Sequence, residues 1–229
     1  MNIIEELGET KRQTTAEEVF ESLRADIVAL RIAPGTKLSE VEVAKNYSVS
    51  RQPVREAFMR LGDLSLLLIR PQRATLVRKI SMRDLDNTRF IRAAVEVEVI
   101  RHACKVASEE AIQEIEENLR LQEAAVAARD PLALRELDYD FHRLICVAAG
   151  RLPAFKTIAE NKTHTDRVCT FELADTSGMD ETLFGHKNIL SALRERDETK
   201  AVKMTRVHLA HLDTTIEKAR QNHQDYFEA

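Results

Sequence analysis

The chain has no tryptophan, and aromatic residues fill only 5% of its 229 positions. Glycine and proline are scarce, at six and five. Ala, Glu, Leu and Arg abound instead, a composition that favours helices. Cys104, Cys146 and Cys169 are odd in number and form no CxxC pair. That excludes a disulfide framework and fits reduced, mostly buried thiols. The longest strongly apolar run, Leu64 to Ile69, contains Ser65 and is far too short to span a bilayer. Residues 1–10 are acidic and lack the apolar core of a secretory leader. Neither an internal repeat nor a low-complexity tract is visible. A soluble, cytoplasmic protein that makes no use of a membrane is expected.

What the chain does have is 44% hydrophobic residues, enough for a packed core in one large domain or two modest ones. Its net charge of −4 is unevenly spread. Residues 11–80 carry 13 Lys/Arg against 8 Asp/Glu, a net of +5, whereas residues 81–229 carry 21 against 27, a net of −6. A basic front on an acidic body suits a nucleic-acid-binding head with a separate regulatory part, although charged residues also cluster by chance on solvated faces.

Periodicity and capping residues divide the chain. Residues 1–13 read as a loose arm. Val19, Leu23, Ile27 and Leu30 give a helix from Thr15 to Leu30 one apolar face. Pro34-Gly35 makes a turn. Ser39 with Glu42 forms a capping-box signature for a short helix to Tyr47. Ser50 caps a third helix to Leu61, with Pro53 tolerated in its first turn. Leu66–Arg70 and Thr75–Val77 read as a small hairpin around Pro71-Gln72-Arg73-Ala74, although the first run is also compatible with a longer helix. After Ser81 no strand signal remains. Helices are expected over 81 to about 107, 108–129, 130–150 (with Asp130-Pro131 as cap and first residue), 153–173, 181–196 and 198–221, with Thr176-Ser177-Gly178-Met179 as a break. The fold class is therefore mainly α: a winged helix-turn-helix over residues 14–79, then an antiparallel bundle of about six helices over residues 80–229.

Arg51 and Arg55 project from one face of the third helix, the element that enters a DNA major groove in a helix-turn-helix. Arginine can give two hydrogen bonds to guanine O6 and N7. Ser50, Gln52 and the first backbone N–H groups of that helix are placed for a phosphate, and Arg73 at the hairpin tip for the backbone or minor groove. Two arginines alone would suit a merely solvated surface helix. The ordered string decides the matter: Ile27, Pro34-Gly35, Leu38-Ser39-Glu40, Ala44, Val49-Ser50-Arg51, Pro53-Val54-Arg55-Glu56-Ala57, Leu61, Pro71, Arg73 and Val77 resemble the GntR family of bacterial transcription regulators. The resemblance implies operator DNA as a partner. The chain departs from it at Ser65 and Ala74, where the family usually has glycine, and at Val41, where some relatives place a DNA-contacting arginine.

Downstream, Asp138 and His142 are four residues apart on one helix, and His186 and His208 lie on the last two helices. In an antiparallel hairpin those two positions come level. Three imidazoles and a carboxylate suit Zn2+ first, with Ni2+ or Mn2+ as alternatives. Any single histidine is more often an ordinary residue. His102, His164, His211 and His223 are read so, although His211 is one turn from His208 and could replace it. Arg92-x-x-Val95-Glu96, Asp138-x-x-Phe141-His142-x-x-Ile145, Ala149-Gly150, His186-x-x-Ile189-x-x-Ala192-Leu193 and Met204-x-x-x-His208-Leu209 resemble the FCD effector domain of the FadR-like branch of GntR regulators. In metal-binding members the aspartate and three histidines at these positions ligate a metal, in or beside the effector pocket. Many relatives also carry asparagine where this chain has Arg151 after Gly150. The resemblance also lets Arg92 hold an effector carboxylate, against an intrahelical Arg92–Glu96 pair, with Arg167 as a weaker second anchor. A homodimeric repressor released by a small organic acid is expected, and not an enzyme, since no further Glu or His stands out as a general base. A metalloenzyme with a DNA-binding head and an effector-independent DNA scaffold are the rival readings.

Overall fold

The computed structural model describes residues 14–70, 73–172 and 176–228. The expected arm, residues 1–13, lies outside them, as do Pro71 and Gln72 of the hairpin tip. The chain divides between Arg78 and Lys79 into two compact units.

In the first unit, α1 (Thr15–Val28), α2 (Glu40–Asn46) and α3 (Arg51–Asp63) pack over a three-stranded sheet. Thr14 caps α1 by accepting from the Glu17 N–H at 3.2 Å. Val19, Phe20, Leu23 and Ile27 of α1 meet Val54, Ala57, Phe58 and Leu61 of α3, so the apolar stripe of each helix is covered by the other. The rim is tied by Arg60, which pairs with Glu17 at 2.7 Å and lies 3.7 Å over the Phe20 ring. The expected hairpin is present as β2 (Leu67–Leu68) and β3 (Thr75–Val77), and it gains a third strand, β1 (Lys37–Leu38), in the order β1-β3-β2. Two residues carry no readable alternation, so β1 left no sequence signal. The pairing comes from the turn before it. Gly35, at φ +85°, donates to the Val77 carbonyl at 2.8 Å and lays the next residues along β3.

The second unit is helical, with α4 (Met82–Val106), α5 (Glu109–Ala128), α6 (Pro131–Ala148), α7 (Ala154–Glu172), α8 (Thr176–Arg194), α9 (Glu198–Ala210) and α10 (Leu212–Asn222). Ser81, Ser108, Asp130 and Asp197 cap α4, α5, α6 and α9 with side-chain hydrogen bonds. Its core joins Ile100, Ile115, Phe141, Ile145, Ile158, Ile189 and Leu193, one or more from each of α4 to α8. Two expectations are corrected. The long last helix is split at His211, whose N–H turns back to the Val207 and His208 carbonyls, so that α10 can bury Ile216 and Ala219 against Leu85 and Val168. The break expected at Thr176–Met179 is the first turn of α8 instead. Glycine costs only about 1 kcal/mol in a helix, and Met179 is buried with Leu134 and Ala125, so packing overrides local preference. A short 3-10 turn, Gln224–Tyr226, leads the chain back to Ile80, which exchanges hydrogen bonds with Tyr226 and Glu228.

Ser65 sits at φ +56° just past the end of α3, and the Leu66 N–H closes on the Leu61 carbonyl at 2.9 Å. This left-handed helix ending is one that glycine adopts freely. Ala74 is not among the described residues with positive φ, so its replacement of glycine carries no such strain. Ser65→Gly is expected to stabilise the first unit by about 0.5–1 kcal/mol, the left-handed strain less the extra entropy of an unfolded glycine. Slower hydrogen exchange of the Leu61–Val77 amides would show it, and unchanged exchange would mean that Ser65 is unstrained.

Candidate metal centre

Four side chains from three helices of the second unit converge. Asp138 and His142 share a face of α6 at i and i+4. The connection from α8 to α9 is only residues 195–197, so the two helices run antiparallel and bring His186 and His208 together. Ligand-capable atoms of all four residues lie within 4.8 Å of one another. The His186 and His208 ring centroids are 4.6 Å apart, and His142 is 5.5 and 5.6 Å from them. Phe141 stacks on His186 at 3.9 Å and holds its plane. His208 lies against α8 where Gly185 leaves room: a Cβ there would stand 2.6 Å from His208 Nδ1.

Hydrogen bonds around the cluster orient the rings. Asn118 Nδ2 donates to the Leu137 carbonyl, Gln122 Nε2 donates to Asn118 Oδ1 at 2.7 Å, and Gln122 Oε1 is thereby left to accept from His186 Nδ1 at 2.8 Å. With its proton on Nδ1, neutral His186 presents a bare lone pair on Nε2. His142 Nδ1 likewise donates to Glu96 Oε2 at 2.7 Å. The Nε2 atoms of His142 and His186 face Asp138 Oδ1 at 3.6 and 3.3 Å. Both are buried, and neither makes a hydrogen bond. Two buried nitrogens without partners, aimed past one carboxylate, are what a divalent cation would satisfy.

Charge alternates outward from this point. Burial opposes ionisation of Asp138, but Lys162 and the neighbouring imidazoles hold its carboxyl well below the usual range. Lys162 Nζ lies 2.6 Å from Asp138 Oδ2 and also binds Asp166. On the other side Arg92 Nε donates to Glu96 Oε1 at 2.8 Å and Arg92 Nη1 to Thr165. Burial works against protonation of His142, yet Glu96 and Asp138 outweigh it and raise the imidazole to about 9. Burial lowers His186, and lowers His208 further with help from its imidazole neighbours. Cys104 and Cys146 are buried and Cys169 partly so, and burial pushes the last two thiols up to about 12.

In the first unit Arg51 and Arg55 stand exposed on α3 while Val54, Ala57, Phe58 and Leu61 face inward. Glu40 of α2 holds both guanidiniums, at 3.1 and 3.2 Å. Ser50 is the N-cap of α3 but makes no side-chain capping bond, and Gln52 donates to Glu56. Arg73 is exposed, as is Val41 on α2.

The description of bacterial regulatory proteins of the gntR family matches residues 15–77, and that of the FCD domain matches residues 88–211. The HTH-type transcriptional repressor RspR of Escherichia coli K12 is 38% identical over 215 residues, 94% of each chain. The chain belongs to the GntR family and carries an FCD domain. It is thus a transcription regulator, not an enzyme. E. coli McbR/YncC shares the fold with a TM-score of 0.74 at 20% identity, over 93% of this chain and 99% of that one. A putative GntR regulator from Rhodococcus sp. RHA1 does so at 0.72 and 22%, over 89% and 98%.

The FCD domain of this GntR regulator places the named residues unevenly. Asp138, His142, His186 and His208 converge. Arg92 pairs with Glu96 and also lines the adjoining cavity, so the two readings of it are compatible. Arg167 is almost fully buried but does not line that cavity. His211 lines it without joining the four. Glu96 as the partner of His142, Asn118, Gln122, Gly185 and Lys162 were missed. Asn118 and Gln122 did leave a signal: two amides at i and i+4 on the face of α5 that carries Ile115 and Leu119.

Gln122→Leu should remove the acceptor that fixes His186 and weaken the hold on an added divalent cation by about 10–100-fold, the usual effect of such supporting groups. Competition with a chromophoric chelator would measure it, and an unaltered affinity would show that the relay does not orient the ring. The metal-free protein should be most stable near pH 6.5. His142 titrates higher folded than unfolded, so its contribution is complete below about 6.5 and is lost as pH rises through 9, a limb of about 3 kcal/mol. His186 and His208 titrate lower folded than unfolded, so their contribution is lost as pH falls below about 6.5. Urea midpoints from pH 5 to 9.5 would trace both limbs, and His142→Gln should flatten the upper one.

Proposed function

We propose that this regulator is a homodimeric repressor whose operator affinity is set by a small carboxylate bound beside a metal in the FCD domain. Residues 14–79 form the reading head and residues 80–229 the effector and dimer unit. Arg51 and Arg55 read base edges or phosphates of each half-site, with Ser50, Gln52 and Arg73 on the backbone. A two-fold dimer matches a palindromic operator. The exposed Phe90 on α4, 76% accessible, is the kind of side chain a dimer interface covers.

Asp138, His142, His186 and His208 would hold the cation, with Zn2+ first and Ni2+ or Mn2+ as alternatives. The observation that carries this is the pair of buried, unbonded Nε2 atoms beside Asp138. A metal held there would supply a Lewis-acidic positive charge toward which an effector carboxylate is drawn. Arg92, at the cavity wall, takes a carboxylate oxygen through its guanidinium. Glu96 is shared by Arg92 and His142, so a pull on Arg92 is felt by the metal ligand and by α4 at once. Helix α4 begins at Met82, four residues after the first unit ends, and is the chain's path back to the head. Coupling of about 1–3 kcal/mol is ample for regulation.

The test pairs two substitutions in the full-length protein. His186→Ala should lose bound metal in elemental analysis and lose the response to carboxylates, with operator affinity kept. Arg51→Ala should keep its metal and weaken operator binding by about 1–3 kcal/mol. Full metal occupancy in His186→Ala would reject the centre, and unchanged operator affinity and sequence preference in Arg51→Ala would reject the reading role.

A further inference from the structure

The cavity beside the four residues has a volume of about 70 Å³, enough for a small ligand only. Its wall is polarised along α6. Arg135, Asp138 and His142 lie on one face at i, i+3 and i+7, and all three border the cavity. A rise of 1.5 Å per residue places Arg135 about 4.5 Å along the axis from Asp138 and about 10 Å from His142. The histidine end, with Arg92, is thus one pole, and Arg135 is a second pole up to two turns away.

The two poles differ in how their charge is balanced. Arg92 is paired with Glu96, and Lys162, between the poles, is held by Asp138 and Asp166. Arg135 donates from Nη2 to the Thr170 hydroxyl at 2.9 Å, and its Nε is buried with no hydrogen bond. Among the described residues no carboxylate pairs with it. A cavity-wall guanidinium with a hydroxyl for a neighbour and a buried N–H to spare is a place for an anion to land. Lys162 has a third ammonium hydrogen beyond its two carboxylates and lines the cavity between the ends.

We infer that the effector carries two acidic groups: a short dicarboxylate with one carboxylate at the Arg92 and histidine end and the other on Arg135. This rests on the carboxylate-effector reading above and adds the second head. A monocarboxylate of the same length would leave Arg135 unsatisfied. One added charge-assisted hydrogen-bond pair predicts a preference of about tenfold or more.

The test is calorimetric titration of the full-length, zinc-supplemented protein with butanedioate and with butanoate. Butanedioate is expected to bind at least about tenfold more tightly, Arg135→Gln to erase that difference while leaving butanoate affinity unchanged, and Arg135→Lys to retain part of it. Zinc content of each variant checks that the FCD domain remains folded. If Arg135→Gln fails that check, the lysine variant decides, and a preference of full size there overturns the assignment to Arg135. Equal affinities for the two acids in the unaltered protein overturn the two-headed ligand but leave a carboxylate effector standing. Binding of neither acid to zinc-loaded protein removes the carboxylate reading itself, and this inference with it.

Discussion

Three imidazoles can share one buried point only if each turns a lone pair toward it, and nothing in an imidazole enforces that choice. In this GntR regulator the choice is imposed from outside the four residues. The Leu137 carbonyl cannot donate, so Asn118 must point its amide nitrogen there. Asn118 Oδ1 then claims the Gln122 nitrogen, and Gln122 Oε1 claims the His186 Nδ1 proton. The polarity of a backbone carbonyl is thereby passed through two side chains to a ring nitrogen. Glu96, ionised because Arg92 and His142 outweigh its burial, does the same for His142 in one step. Without these acceptors the four residues would still be neighbours, but their lone pairs would not share a centre.

The same contacts explain how so much charge is tolerated inside a helical bundle. Arg92, Glu96, His142, Asp138, Lys162 and Asp166 alternate in sign along a continuous chain of pairs. Each charge is desolvated, and each has an opposite neighbour, which is the condition for a buried ion to be bearable at all. A row of well-packed apolar residues would fill the space at no such cost. The network is therefore better explained by what it holds in place than by the stability it adds, and all its members but Glu96 border the cavity from which a ligand would read them.

The sequence revealed what is periodic, capped or motif-bound. The faces of α1 and α3, the caps Ser81, Ser108 and Asp130, and the spacing of Asp138 and His142 are local patterns, and each is present in the structure. What stayed hidden depends on contacts far along the chain. Strand β1 has two residues and exists because Gly35 is tied to Val77. The kink at His211 serves Leu85 and Val168, more than forty residues away in each case. Gln122 looked like one more polar residue on α5 until His186, from α8, was set beside it. Among the described residues α1, α2, α3, α5 and α8 end on Leu30, Ser48, Ser65, Arg129 and Arg196 in the left-handed region, whereas α6 uses glycine, at Gly150. The bond from the residue after the left-handed one back into the last turn recurs after α2, α3, α5, α6 and α8, so the motif persists at the non-glycine ends at a cost in strain that glycine would have avoided.

Helix α4 gives the arrangement its direction. It carries Arg92 and Glu96 on one face, a turn apart; both are buried, Arg92 at the cavity wall and Glu96 against His142 of the cage. It is also the first helix after the boundary between the units. On the proposed reading, a ligand at Arg92 would share the guanidinium with Glu96, which orients His142. Binding and ring orientation would then be coupled through one carboxylate on one helix. Tight interiors shift between discrete packings and do not deform continuously. A displacement that started at Glu96 would therefore be expected to move α4, 25 residues long, as a body and not within a single turn.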